Sequence, residues 1–310
     1  MKKRISLLLC LMLLAGCGQQ PDAQSLGRTF TDDLGRKVSI DTQPQRVASL
    51  LGSFSDVWVL SGGTLVASAD DAWDDFGLEL PDAVNLGKTK EPSLELLLQS
   101  QPDLVIASSN TQADFDMLET LDAAGIPSLY FDVSDFEDYL RMLQICTELT
   151  GRPDLYEENG LTIQSRIEES VARTRAYFGE DPPKVLYLRA SAASIRAKNS
   201  QGNVLGEMLS DFGCINIADS EESLLENLSI EHILMADPDY IFFVQLGDDA
   251  AGTKANIEAF FAENPAWQTL TAVKEGRVIY LDKRLYNLKP NALWADAYEQ
   301  LEEILCEEKP

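Results

Sequence analysis

The sequence predicts an α/β protein built from two pseudo-symmetric α/β lobes that are joined by a single long helix. Three observations lead to this prediction. Short apolar runs alternate with helical segments in both halves of the chain, as in domains with parallel sheets. One longer helical pattern separates the halves, and one short sequence unit occurs in each of them. A length of 310 residues also suits two domains.

The elements follow in order. Residues 29–40 read as a β-hairpin around Asp32-Asp33-Leu34-Gly35-Arg36. Strands are predicted at 46–49, 65–69, 83–86, 104–107 and 128–131, with helices between them at 55–60, 93–98 and 113–124. A long helix covers 134–150 and ends at Gly151-Arg152-Pro153. Then follow a polar helix at 155–177, strands at 184–188, 215–218, 240–244 and 278–281, and a last helix at 292–306. The predicted domains are an N-terminal lobe over 28–133, a connecting helix over 134–151 and a C-terminal lobe over 152–310.

The start of the chain has the features of an exported lipoprotein. After a short basic stretch, residues 5–14 form an apolar run that is too short to span a bilayer and has the length of a signal-peptide core. The run ends in Leu14-Ala15-Gly16-Cys17, which resembles the bacterial lipobox, where the cysteine carries a diacylglyceryl group. We expect a signal peptide over 1–16, lipidation of Cys17 and a polar tether over 17–27. The protein would then be anchored outside the cytoplasm, on the periplasmic side of the membrane or at the cell surface.

Composition excludes several classes of function. The formal net charge is −26, so nucleic acid is not an expected partner. The chain has no Gly-x-Ser-x-Gly, His-Glu-x-x-His or P-loop motif and a single histidine, so we expect no enzyme. Cys146, Cys214 and Cys306 lack metal-ligand spacing, and no metal site or intrinsic cofactor is expected. A disulfide between two of these cysteines remains open.

A repeated unit indicates how the lobes are related. Ser93-Leu94-Glu95 leads to Pro102-Asp103, and Ser229-Ile230-Glu231 leads to Pro238-Asp239, with an interval of 136 residues (231 − 95) and no gap. Each copy predicts a serine N-cap, an acid in the first helical turn, a short helix, a Pro-Asp turn and a buried strand.

These segments carry a resemblance to a known family. Together with Phe30-Thr31-Asp32-Asp33-Leu34-Gly35-Arg36, they resemble the binding proteins for iron-siderophores, haem and cobalamin that serve ABC importers. The resemblance covers roughly residues 29–305. It implies a class III periplasmic-binding-protein-like fold and a monomer that delivers a small metal chelate to a permease dimer in the cytoplasmic membrane. It also implies that Glu95 and Glu231, one on each lobe, dock into arginine pockets of the permease. Taken alone, each acid would only complement a helix N-terminus.

The ligand should bind beyond the carboxyl ends of the strands, where the loops of both lobes meet. These loops hold eight basic residues in a chain dominated by acids, which favours an anionic ligand. The expected ligand-binding residues are Ser53, Phe54, Trp73, Lys88, Lys90, Asn110, Arg189, Arg196, Lys198, Arg284 and Tyr286, with Lys283, Lys289, Tyr187 and Trp294 nearby.

The ligand itself is left with alternatives. The only histidine, His232, follows Glu231 on the predicted docking helix and is read as a surface residue, while Tyr187 or Tyr286 could coordinate haem iron. Basic loops without histidines favour a ferric siderophore, and cobalamin or haem is the alternative. An exported lipoprotein enzyme and a surface sensor are the remaining, less favoured functions.

Overall fold

A computed structural model describes residues 25–220, 224–225 and 228–307. The predicted signal peptide and Cys17 lie outside the described residues. The described chain begins with an antiparallel hairpin of β1 (Ser25–Thr31) and β2 (Lys37–Thr42), as the sequence predicts. Because β1 starts at Ser25, residues 25–27 of the predicted tether already belong to a strand.

The first lobe is built on a five-stranded parallel sheet with the order β5-β4-β3-β6-β7. Its strands are β3 (Val47–Ser49), β4 (Leu65–Ser68), β5 (Val84–Asn85), β6 (Leu104–Ser108) and β7 (Ser128–Phe131). Its helices are α1 (Gly52–Leu60), α2 (Asp71–Asp74), α3 (Leu94–Gln99) and α4 (Gln112–Ala123). Each predicted strand is present, and α2 is an addition that the sequence pattern did not predict.

Three α-helices and a π-helical turn lead out of this lobe. The connecting helix is α5 (Phe136–Thr150), which ends where Gly151 adopts a left-handed φ of 71°. Next come α6 (Pro153–Tyr156), a π-helical turn over Glu157–Leu161, and α7 (Thr162–Phe178).

The second lobe has four parallel strands in the order β10-β8-β11-β12, and a fifth strand, β9, pairs antiparallel with β8. They are β8 (Lys184–Ala190), β9 (Ile195–Ala197), β10 (Ile215–Asn216), β11 (Tyr240–Gln245) and β12 (Val278–Leu281). Its helices are α8 (Val204–Asp211), α9 (Ile230–Ala236), α10 (Ala250–Glu263), α11 (Thr271–Lys274), α12 (Lys283–Tyr286) and α13 (Trp294–Cys306). The α/β fold with two lobes is therefore confirmed. Cys146, Cys214 and Cys306 are free thiols.

The two sheets share one apolar core. In β6, Leu104 and Ile106 face this central core, while Val105 and Ala107 face a smaller core outside the first sheet. The same alternation holds in β8 and β11 of the second sheet. Alternate side chains of a strand point to opposite faces, so each sheet gives one face to the centre. The centre is filled by α5, through Tyr139, Leu143 and their buried neighbours.

The Asp32-Asp33-Leu34-Gly35-Arg36 turn covers the edge of the first sheet. Asp32 is buried and accepts hydrogen bonds from the backbone N–H of Arg36 (2.9 Å) and from its guanidinium (2.7 and 3.0 Å). Arg36 also donates to the carbonyl of Ser128 (2.8 Å), at the start of the edge strand β7. The backbone N–H of Asp33 donates to the carbonyl of Tyr130 (2.9 Å). The motif thus protects an edge strand that would otherwise expose unpaired backbone groups.

The Pro-Asp turn performs the same structural task in both copies of the repeat. Asp103 accepts hydrogen bonds from the backbone N–H of Gln45 (2.8 Å) and Arg46 (2.9 Å), just before β3. Asp239 accepts one from the backbone N–H of Lys184 (2.9 Å), at the start of β8. Each aspartate therefore fixes the beginning of a neighbouring strand, which sets the register of the two central strands.

Gly160 lies in the π-helical turn, where that turn packs against α5. A Cβ at this position would lie 3.0 Å from Cδ2 of Leu140 and 3.3 Å from Cδ2 of Leu143. Beside it, the hydroxyl of Tyr139 donates to the carbonyl of Asn159 (2.7 Å). A side chain at this position would force Leu140 and Leu143 to shift, so glycine suits this close approach to the connecting helix.

We expect Gly160→Val to lower the free energy of unfolding by about 1–3 kcal/mol, because the added methyl groups overpack the contact with Leu140 and Leu143. Urea denaturation followed by circular dichroism measures this change. Ser165→Val, at an exposed position of α7, is the matched control for the lower helix propensity of valine. Equal losses in both variants would contradict a packing role for Gly160.

Candidate ligand-binding cleft

The carboxyl ends of the strands of both sheets face a cleft between the lobes. At one end of it, a cavity of about 940 Å³ lies between the residues that follow β4 and β5 and those that follow β11 and β12. We call this the acidic cavity. It is lined by Asp70, Asp71, Asp74, Asp75, Lys88, Thr89, Lys90, Gln245, Asp248, Leu281, Asp282 and Lys283.

The acidic cavity does not have the positive lining that the sequence predicts. Six aspartates face only three lysines there. Lys88 and Lys90 are exposed on its rim, as expected for cleft residues. The prediction assumed that all the basic loops converge on one site, but the strand order of the two sheets separates them.

Two of the predicted basic residues tie the lobes together. Lys283 Nζ lies 2.7 Å from Asp75 Oδ1 of the first lobe and 2.6 Å from Asp248 Oδ1 of the second. Arg284 Nη2 lies 3.4 Å from Asp56 Oδ2, and its guanidinium carbon lies 4.2 Å from the centre of the Phe76 ring. These cations are therefore committed to ion pairs inside the protein.

Asn291 completes this junction between the lobes. Its Nδ2 donates to the carbonyl of Ser53 (2.8 Å) and to Asp56 Oδ2 (2.8 Å), and its side chain is buried. Burial raises the pKa of Asp56, while the hydrogen bond from Asn291 and the charge of Arg284 oppose that shift. Ser53, a predicted ligand contact, thus lies at the buried junction.

A second group of cations lies at the other end of the cleft. Arg189 of β8 pairs directly across from Arg196 of β9, so two like charges oppose each other on neighbouring strands. Lys198 follows β9. Burial lowers the pKa of Lys289, and the nearby charge of Arg189 lowers it further. We call these four residues the basic cluster.

No residue of the basic cluster has an ion-pair partner in the described part of the chain. Burial lowers the pKa of Lys198, and the charges of Arg189 and Arg196 lower it further. Nε of Arg189 is buried without a hydrogen-bond partner, and its Nη2 donates to the hydroxyl of Tyr187 (3.3 Å). An uncompensated cluster of this kind is costly unless an anion binds there.

The first lobe contributes polar groups opposite the basic cluster. Asp132, just after β7, attracts Lys289 and opposes the lowering of its pKa by burial. Nδ2 of Asn110, after β6, donates to Asp132 Oδ1 (2.5 Å). Asn110 is exposed, as a ligand contact must be.

Several predicted aromatic contacts lie in the core instead of on the cleft surface. Phe54 and Tyr286 are each 1% exposed; Phe54 packs edge-on against Phe131, and the hydroxyl of Tyr286 donates to the carbonyl of Ala297 (2.9 Å). Tyr187 and Trp294 are fully buried as well. The segments that carry Phe54 and Tyr286 turn inward after β3 and β12, because the central core lies on that side of each sheet. Trp73, on α2, is only half-buried.

The predicted docking acids are exposed on corresponding helices. Glu95 lies on α3, where Ser93 caps the helix by accepting from the backbone N–H of Leu96 (3.3 Å). Glu231 lies on α9, where Ser229 makes no side-chain cap, so the predicted cap is present in only one copy. His232 is partly buried on the same helix.

The sequence did not predict the acids that engage these cations. The ion-pair partners of Asp56, Asp75 and Asp248 lie far along the chain, and no local sequence pattern predicts such pairs. The β8–β9 hairpin, which brings Arg189 and Arg196 together, was likewise not predicted. The two-residue spacing of Arg196 and Lys198 was the signal in the sequence that could have indicated this strand.

With this geometry in view, comparison with known proteins identifies the family. Residues 47–285 match the family model described as periplasmic binding protein. The chain belongs to this family. Residues 25–220, 224–225 and 228–307 include no helix long and apolar enough to cross a membrane. In the same residues, no group of three or more His, Cys, Asp or Glu side chains could hold a metal ion.

Individual relatives span nearly the whole length of this periplasmic binding protein. The Fe(3+)-citrate-binding protein YfmC of Bacillus subtilis is 24% identical over 294 residues, which cover 89% of this chain and 87% of YfmC. The iron-uptake system-binding protein of the same organism is 24% identical, over 89% of this chain and 90% of its own. The crystal structure of Staphylococcus aureus SirA with staphyloferrin B superposes with a TM-score of 0.69 at 22% identity, over 91% of this chain and 100% of that one.

Two carboxyls, one buried and one half-buried, support the loops on the first-lobe side of the cleft. Asp114 of α4 accepts from the backbone N–H of Ser108 (2.8 Å), and Asp71 accepts from that of Gly52 (2.8 Å). Burial raises the pKa of Asp114 to about 7 and that of Asp71 to about 6. The hydrogen bonds oppose these shifts, and the charge of Asp71 adds to the shift of Asp114.

We expect the free energy of unfolding to rise as the pH falls through about 7, because the folded state holds the Asp114 proton more tightly than the unfolded chain, whose Asp titrates near 4. Above the folded pKa this contribution is lost. Between pH 8 and 5 it amounts to about 2–3 kcal/mol.

The variant Asp114→Asn keeps the acceptor for Ser108 and cannot titrate. Chemical denaturation at pH 8, 7, 6 and 5 should show a shallower pH dependence in this variant than in the parent protein. Asp116→Asn, on the exposed face of the same helix, is the control. Parallel pH profiles for Asp114→Asn and the parent would contradict this role of Asp114.

Proposed function

We propose that this periplasmic binding protein captures an anionic ferric siderophore at the basic cluster and delivers it to an ABC importer, without performing chemistry on it. The observation that carries the proposal is the set of four cations, Arg189, Arg196, Lys198 and Lys289, that lack an ion pair in the described residues of a chain with a net charge of −26. Acidic groups are abundant, yet none of those that the structure describes forms an ion pair with the cluster.

Charge and geometry both favour an anionic chelate at this place. Guanidinium groups bind carboxylates and other planar anions with two parallel hydrogen bonds. An anion between Arg189 and Arg196 removes their mutual repulsion across the β8–β9 pair. Asn110, opposite the basic cluster, is exposed and offers a further polar contact from the first lobe. Lys88, Lys90 and Trp73 are also exposed or half-buried, but they lie towards the end of the cleft with the acidic cavity.

Haem and cobalamin remain the alternative ligands. Haem iron needs a protein side chain such as tyrosine or histidine as a ligand. Tyr187 and Tyr286 are buried in the core, and the partly buried His232 lies on a docking helix. A pre-formed ferric complex requires only charge and hydrogen bonds, which the basic cluster provides.

The proposal includes location and assembly. Cleavage before Cys17 and its lipidation would anchor a monomer outside the cytoplasm, with the lobes at 28–133 and 152–310 and the connecting helix at 134–151. Glu95 and Glu231 would then dock the two lobes onto the two permease subunits. Their exposure on matching helices supports this role.

We expect the double variant Arg196→Gln, Lys198→Gln to weaken ligand binding at least about 10-fold, because charged hydrogen bonds are lost at the basic cluster. Tryptophan fluorescence titrations with ferric citrate, a ferric catecholate, haem and cobalamin measure the affinities. The double variant Lys254→Gln, Lys274→Gln changes the net charge equally at exposed sites outside the cleft. Equal losses in both double variants would show a general charge effect, and unchanged binding would place the ligand elsewhere.

We expect Glu95→Ala, Glu231→Ala to abolish uptake while leaving ligand affinity unchanged, because these acids contact the permease and not the ligand. Uptake of radiolabelled iron chelate by cells that carry the importer measures the first effect. Glu119→Ala, Glu263→Ala, with one exposed acid on each lobe, is the matched control. Normal uptake by the Glu95, Glu231 variant would exclude docking through these residues.

A further inference from the structure

The two docking helices expose apolar side chains next to their acids. Met235 on α9 is 79% exposed, the highest value among the exposed large apolar residues of the described chain. Leu96 and Leu98 on α3 are 37% and 36% exposed. These helices cover only Leu94–Gln99 and Ile230–Ala236, so three such residues on two short helices form a local concentration.

None of the three residues is the main buried anchor of its helix. The buried anchors of the helices are Leu97 on α3 and Ile233 on α9, which are both fully buried. In the 136-residue register of the repeat, Met235 takes the place that Gln99 holds in the first lobe. A polar residue therefore suits this helical position, and the methionine calls for another explanation.

The acids and the apolar residues lie close together on each helix. Met235 follows Glu231 by four residues and Leu98 follows Glu95 by three, which are the spacings that place side chains on neighbouring parts of a helix surface. Gln99 Nε2 donates to Glu95 Oε1 (3.0 Å) and holds that carboxylate, whereas Met235 cannot do so for Glu231. Each docking helix thus presents an acid with an apolar neighbour.

Ion pairs alone are too weak to hold the complex. An exposed pair changes an association constant by no more than about fivefold, so two pairs give about 30-fold. A micromolar complex needs an association constant of about 10⁶ M⁻¹, and it must also offset the loss of translational and rotational freedom. Burial of apolar side chains is the interaction that can supply the difference, and methionine adapts well to such surfaces.

We propose that Leu96, Leu98 and Met235 are docking contacts that enter apolar depressions of the permease beside the groups that receive Glu95 and Glu231. This inference rests on the proposed docking function. The apolar contacts set how long the complex lasts, and the acids set how fast and in which orientation it forms. The two lobes dock with unequal chemistry, because the first offers two leucines and a held carboxylate and the second offers a methionine.

The test measures binding of the full-length, ligand-loaded protein to its permease–ATPase complex in nanodiscs by surface plasmon resonance at two salt concentrations. We expect Met235→Gln, which copies the first lobe, to weaken binding about 10-fold through faster dissociation. Leu98→Gln, Met235→Gln together should weaken it about 100-fold, with an unchanged salt dependence. Glu95→Ala, Glu231→Ala should instead slow association and reduce the salt dependence.

Phe115→Gln and Tyr177→Gln are the matched controls, since these side chains are 46% and 54% exposed on α4 and α7. Neither should change docking. Normal binding by Leu98→Gln, Met235→Gln with a loss for the glutamate variant would overturn the apolar contacts alone. Normal binding by the glutamate variant would overturn the docking function itself, so the two failures are distinguishable. Circular dichroism confirms that each variant is folded.

Discussion

The shared apolar core around α5 is the constraint on which the rest of the structure depends. Each sheet turns one face towards this helix, and residues of α7 and α13 close the core from the other sides. The lobes are therefore not two independent domains on a flexible linker, because separating them would expose the side chains that pack on Tyr139 and Leu143. Because a close-packed interior resists deformation, we expect only small motions of the lobes relative to one another.

Both proposed functional surfaces, the docking helices and the cleft, require a fixed relation between the lobes. Two docking acids on separate lobes can match a two-subunit partner only if their spacing is set in advance. The cleft is likewise preorganised, since the β8–β9 hairpin holds Arg189 and Arg196 opposite each other before a ligand binds. Preorganised charge costs no rearrangement when an anion binds.

Much of the fold could be predicted from the sequence because its signals are local. The continuous apolar run in Leu104–Ser108 and the helical spacing in Phe136–Thr150 each reflect one element's own surroundings. The repeat added a long-range signal, and the structure explains it, since Asp103 and Asp239 both fix the start of a central strand. The strand Ile195–Ala197 was not predicted because three residues are too few to show a pattern of alternating side chains.

The site was less predictable because its chemistry depends on distant pairing. Lys283 and Asp75 are 208 residues apart (283 − 75), and nothing near either residue indicates the ion pair that removes the lysine from the ligand site. Phe54 and Tyr286 follow strands as ligand contacts do, but whether such a residue turns towards the cleft or the core depends on what packs beneath the sheet. The sequence predicted a basic cleft from the loops that follow the strands, but the strand order divides those loops between the two ends of the cleft.

The ion pairs of Lys283 and Arg284 join the lobes at one end of the cleft only. These ion pairs resist separation of the lobes at the acidic cavity, whereas no ion pair among the described residues does so beside the basic cluster. The end of the cleft at the basic cluster is therefore the end at which we expect the ligand to enter and leave.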